Sequence, residues 1–154
     1  MTESETTGTG GELSAPYVLE YAYKRSLGPA LRAFFTGLRD GRVVGARCRD
    51  GRVVVPPTEY DSHGYDVVGY VDVADVGAVT SWAWVAEPLP SHPLQTPFAF
   101  ALVQLDGAHT ALAHALVVDD PASLRIGMRV RARWAEERGS GIRDIVCFEP
   151  VPHG

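Results

Sequence analysis

From Arg42 to the C-terminus the chain is a succession of short apolar runs separated by turn residues, with no helix-period segment between them. Arg42–Arg49 and Arg52–Val55 flank Asp50-Gly51, a hairpin signal, and Pro56-Pro57 ends that unit. The further runs are Val67–Val73, Ala78–Val85, Phe98–Leu105, Thr110–Val118, Met128–Ala135 and Ile142–Phe148, with turns at Asp106-Gly107 and Gly139–Gly141. Strands that follow one another without intervening helices cannot make a parallel α/β sheet. They predict a sandwich or a small closed barrel. The expected class is mainly β, an OB-type Greek-key barrel of five strands.

The segment before Arg42 has a different period. Leu27, Leu31, Phe34, Phe35 and Leu38 fall on one helical face, predicting a helix over Ser26–Asp40. Pro29 suits its first turn and Gly41 the position past its end, whereas Gly37 is unfavourable inside the last turn. Leu13–Arg25, with Tyr17, Tyr21 and Tyr23, reads as an extended arm that lies either on a partner or on its own domain. The expected division is a disordered tail at 1–12, arm, helix and hairpin at 13–66, the OB domain at 67–150, and a short tail at 151–154.

Charge and cysteine content narrow the function classes. The 154 residues carry a formal charge of −5, and Lys24 is the only lysine, which disfavours wholesale capture of nucleic acid. The N-terminal residues have no basic start and no apolar core, so no signal peptide is expected, and no run approaches a membrane span. The two cysteines, Cys48 and Cys147, are too few for a disulfide framework and fit a reducing cytoplasm.

An ordered set of motifs resembles the acyl-CoA-associated OB-fold proteins that carry an N-terminal rubredoxin-like zinc ribbon. The set begins with Gly28-Pro29, Phe34-Phe35-x-x-Leu38-x-x-Gly41, Gly45-Ala46-Arg47-Cys48 and Pro56-Pro57. It continues with Gly77, Val79-Thr80-Ser81-Trp82 and Pro97 through Gly107. Leu124-x-Ile126-Gly127-Met128-Arg129-Val130 and Phe148-Glu149-Pro150 complete it, so the likeness spans Ser26 to Pro150. It implies a partner of thiolase-like enzymes, some of them lipid-transfer-protein-type aldolases that shorten steroid side chains, in a hetero-oligomer that handles acyl-CoA. Function inferred this way rests on analogy.

The resemblance also implies four zinc-ligand positions, which here hold Cys48, Gly51, Tyr60 and His63. One thiolate and one imidazole cannot close a structural zinc site, so a degenerate, metal-free ribbon and no resident cofactor are expected. Cys48 then reads as a small core residue and His63 as an exposed turn residue.

No catalytic set stands out. His109 or His114 with Asp106 would make a base and an orienting carboxylate, but there is no G-x-S-x-G, no H-E-x-x-H and no phosphate loop. Arg129, Arg131 and Arg133 alternate with Val130, Ala132 and Trp134, placing three guanidiniums on one strand face. That face is either a solvated exterior or a contact for the phosphates of acyl-CoA. Trp82 and Trp84 share a face, and the loop Glu87–Thr96 is proline-rich and apolar. With Tyr21, Tyr23, Leu31, Phe34, Phe35 and Leu89 they form the expected partner surface. The expectation is a non-catalytic accessory subunit of a thiolase-type acyl-CoA enzyme. The alternatives are a single-stranded nucleic-acid-binding OB module, whose bases Trp82 and Trp84 would stack, and an independent small acyl-CoA-binding protein or enzyme.

Overall fold

A computed structural model describes residues 15–20 and 26–152. Tyr21, Tyr23 and the expected N-terminal tail lie outside the described residues. Residues 15–20 are exposed throughout, with Tyr17 and Val18 presenting apolar area to solvent.

Helix α1 spans Pro29–Arg39, three residues shorter at its start than the hydrophobic period predicts. Gly28 is extended and acts as N-cap, Pro29 opens the first turn, and Leu27 is left outside and 41% exposed. A tertiary contact completes the cap: Glu59 Oε1 accepts the Ala30 N–H at 3.1 Å. The unfavourable Gly37 has a packing reason, since a Cβ there would sit 2.5 Å from Val44 Cγ2. The glycine lets the helix lie close on the strand that follows it. Gly41 turns the chain out with φ +74°, as expected of a residue past a helix end.

Five strands close into a barrel: β4 (Val76–Val85), β5 (Phe98–Leu105), β6 (Leu112–Leu116), β7 (Arg129–Trp134) and β8 (Ile145–Pro150). Their order is β4-β5-β6-β8-β7, and β7 pairs back onto β4. All pairings are antiparallel except β6 with β8. This is the five-stranded Greek-key OB architecture. The last predicted run is out of phase at its start: Ile142–Asp144 is a 3-10 turn and the strand begins at Ile145.

A separate three-stranded sheet precedes the barrel, with β1 (Val43–Arg47) between β2 (Val53–Val54) and β3 (Gly69–Val73). The sequence groups Val67–Val73 with the barrel; β3 instead pairs along its whole length with β1. Hydropathy alone cannot assign a strand to one of two adjoining sheets, because both bury the same kind of residue.

The two sheets share one core. Phe34, Leu38, Val43, Val53 and Val55 pack with Val79, Val103, Leu116, Val130 and Phe148 in a single buried cluster. Polar groups seal the seam. Val53 N–H donates to His109 Nδ1 at 3.0 Å, while Val53 O accepts from His109 N–H at 2.8 Å. Thr110 Oγ1 accepts from Val55 N–H and donates to Val55 O. Residues 109–110 thus satisfy the backbone of β2's outer edge, which would otherwise be exposed for pairing. Phe34 is 2% exposed within this core, so it serves the chain's own packing and not a partner, correcting the sequence expectation. Phe35 is half-buried against the same cluster, and Leu31 keeps 39% exposure.

Candidate functional site

Two tight turns, 48–51 and 60–65, hold the positions expected for zinc ligands. Gly51, at φ +86°, turns the first and donates to Cys48 O at 3.0 Å. Asp61 organises the second: its Oδ1 accepts from the backbones of His63 and Tyr65. Arg52 joins them, donating to Asp50 at 2.8 Å on its own turn and to Ser62 Oγ at 2.9 Å on the other. The Arg49 guanidinium lies 5.1 Å from the Tyr65 ring centroid. Arg52 thus ties the two turns together. Cys48 is 1% exposed, and burial followed by the charge of Asp50 pushes its thiol pKa up. Tyr60 is 60% exposed, and His63 is an exposed turn residue.

The arginine stripe is on the outer face of β7, as alternation requires. Arg129 makes a bidentate pair with Asp106, while Arg131 and Arg133 lie 3.3 and 3.9 Å from the carboxylate of Glu149. The Arg129 hydrogen bond holds the Asp106 carboxyl below its usual range. Asp106 is thereby committed to arginine, and His109 Nδ1 to the β2 backbone, so the imagined base–carboxylate pair is not assembled. An anion reaching this stripe has to compete with carboxylates already in place.

Trp82 and Trp84 pair across β4–β5 with the inward-facing Ala101 and Ala99. Trp84 packs on the core, and Trp82 remains 37% exposed. The proline-rich loop folds back on the barrel. His92 N–H donates to Leu89 O, Leu89 N–H donates to His92 Nδ1 at 3.1 Å, and Gln95 Nε2 donates to three loop carbonyls. Beneath it Leu94 covers a small second core of Phe98, Ala115 and Cys147 on the outside of the barrel. Leu89 is left 57% exposed.

This loop forms one wall of a groove of about 520 Å³ that sequence reasoning missed. Its floor is the outer face of β5–β6, where Phe100 pairs with Ala115 and Leu102 with Ala113, so two alanines create the depth. The other wall is the turn Ile142–Asp144 between β7 and β8. In barrel order these are the second and third strands with the first and last connecting loops, the surface on which OB-folds take ligands. The size is ordinary for a small-molecule site. The missed signal was the Ala113–Ala115 alternation opposite Phe100, which reads as weak strand texture until the partner strand is known.

His114 sits behind the groove. Its Nδ1 accepts the Ala115 N–H at 2.9 Å, and Nε2 lies 3.3 Å from Ile142 O, which the neutral Nε2-H tautomer satisfies. Burial is the largest influence and pulls its pKa below the ordinary 6.5. The unfolded chain therefore takes up a proton here before the folded chain does. This contribution to stability is complete above pH 6.5 and is lost as the pH falls below it toward the folded value. Urea unfolding between pH 7.5 and 5 should show stability falling, and His114→Gln should flatten that fall. An unchanged slope in the variant would contradict the assignment. The acidic groups with lowered pKa, Asp50 and Asp106, act in a separate window below 3.8.

The comparisons agree with the fold. The family model of the ChsH2 C-terminal OB-fold domain matches residues 70–135. A DUF35-family protein of unknown function from Sulfolobus solfataricus is 23% identical, with TM-score 0.55 over 69% of this chain and 77% of that one, a likeness of fold. A chain of the Ltp2-ChsH2(DUF35) aldolase is 25% identical, with TM-score 0.61 over 82% of this chain and 98% of that one. No curated protein matches. No helix among the described residues is long and apolar enough to cross a membrane. The stretch similar to the ChsH2 C-terminal OB-fold domain, residues 70–135, begins in β3 of the three-stranded sheet and runs through the barrel as far as β7.

Proposed function

We propose that this chain is a non-catalytic accessory subunit of an aldolase-type acyl-CoA enzyme, paired with a thiolase-like, lipid-transfer-protein-like catalytic subunit in steroid or fatty-acyl side-chain degradation. The observation that carries the reading is the likeness to the Ltp2-ChsH2(DUF35) aldolase chain, which covers 82% of this chain and so extends beyond the barrel. The surface is consistent with it. Leu31, Trp82 and Leu89 are exposed, as are Phe100 and Leu102, each 41%. With the exposed Tyr17–Leu19 stretch they offer apolar area toward the ~1,200 Å² that a stable contact buries. Acyl-CoA is then a ligand of the complex, with Arg129, Arg131 and Arg133 the candidates for its phosphates.

The test is assay of acyl-CoA carbon–carbon cleavage by a co-expressed thiolase-like subunit with and without this chain. The chain alone should be inactive, and the partner should lose most of its activity without it. Cleavage by the chain alone, or a partner indifferent to it, would refute the reading. A nucleic-acid module is favoured by one observation, the groove's position on the surface where OB-folds hold oligonucleotides. Its charge opposes that reading, because a groove that tracks a phosphate backbone needs a row of cations and this lining has one arginine.

A further inference from the structure

We propose that the groove between the proline-rich loop and the turn Ile142–Asp144 is a binding site for a small apolar monocarboxylate, a short acyl or aryl acid, independent of any partner subunit.

The shape of the groove suits an apolar body. Phe100 is 41% exposed although it belongs to a tight aromatic group, 4.9 Å from Phe98 and 5.6 Å from His92 between ring centroids, both edge-on. One face of a fixed ring is thus presented to the groove. Opposite it, Ala113 and Ala115 keep the floor low, and Leu94 and Ile142 supply apolar walls. Larger residues on β6 would fill this space; the alanines leave about 520 Å³, room for a body of several carbons.

Charge then selects the head group. The chain is acidic overall, at −5, yet no acidic side chain lines the groove. Arg143 is its one permanent charge, and among the described residues that guanidinium makes no ion pair, unlike the paired Arg129, Arg131 and Arg133 of the β7 stripe. His92 supplies a second donor. Its Nδ1 is occupied by the Leu89 N–H, so the neutral ring carries its proton on Nε2. A single planar guanidinium matches one carboxylate, which it can hold bidentately. A nucleotide or an oligonucleotide would bring several charges against one cation.

The site is also preorganised. Three Gln95 hydrogen bonds fix the loop wall, and Asp144, 4% exposed, accepts from the backbones of Gly139, Ser140 and Gly141 to fix the other. Little conformational freedom has to be surrendered on binding.

The experiment is titration of the isolated full chain with octanoate, benzoate and the uncharged octanamide, read by amide chemical shifts at Phe100, Ala113, Ile142 and Arg143. Octanoate or benzoate should shift these amides saturably and bind at least fivefold tighter than octanamide. Arg143→Gln should remove that preference, and Ala113→Trp should abolish binding while the rest of the spectrum stays folded. Equal binding of octanamide, an unaltered response in Ala113→Trp, or no saturable shift would overturn the proposal. Displacement of these same resonances by a dT10 oligonucleotide in place of the acids would also overturn it, assigning the groove to nucleic acid. None of these outcomes depends on whether the chain assembles with a catalytic subunit.

Discussion

Phe34→Ala should lower the stability of the isolated chain by about 3–5 kcal/mol, the usual cost of deleting a buried aromatic ring. For a chain of this size that corresponds to a Tm fall on the order of 10 °C. Phe34 is 2% exposed and joins α1 to the shared core of the three-stranded sheet and the barrel. Its loss opens a cavity at the junction of both sheets, where relaxation is limited by Val43 and Val55 on one side and the barrel strands on the other. Leu31→Ala on the same helix removes a side chain that is 39% exposed and should change the stability of the isolated chain far less. Calorimetry of the two variants distinguishes a helix docked through Phe34 from one that holds that face for a partner. A small effect of Phe34→Ala would mean the helix is loosely attached in the free chain.

Asp144→Ala is the second large expected effect, a loss of about 2–3 kcal/mol. The carboxylate accepts three backbone N–H groups, at 2.8, 2.9 and 3.2 Å, from residues 139–141. Ser140 holds φ +66° there, a left-handed conformation that a residue with a Cβ seldom adopts, and the hydrogen bonds hold it in place. The same turn carries Ile142, on the wall of the groove, and leads directly into Ile145 in the core. Asp144→Asn keeps one acceptor oxygen and should recover part of the loss. Denaturant unfolding of both variants checks this, and an Asp144→Ala variant as stable as the parent would show that the turn is held by packing alone.

Much of the fold is legible in the residues because its signals are local. The β5 limits, Phe98–Leu105, follow from an almost unbroken apolar run between Pro97 and Asp106-Gly107. The end of α1 follows from Gly41. What the chain hides is tertiary. Gly37 reads as a defect until Val44 is seen against it. Phe34 and Leu31 share a helical face, but tertiary packing covers one and leaves the other exposed. The assignment of β3 to the three-stranded sheet depends on its pairing with β1, at a sequence distance no period reports. The arginine stripe is legible as a face, whereas its neutralisation by Asp106 and Glu149 depends on which strands become neighbours. The groove is the largest omission. It is made of alanines, a loop and a turn from three separate parts of the chain, and no single segment carries a sign of it.

The central claim is that this chain works inside an assembly. Its most direct test is the mass of the species obtained when the chain is co-expressed with a thiolase-like, Ltp2-type subunit and passed through size-exclusion chromatography with light scattering. The expected result is one peak holding both chains at a fixed whole-number ratio, stable on dilution to micromolar concentration. Elution of this chain at its monomer mass, separate from the candidate subunit at every concentration tried, would contradict it.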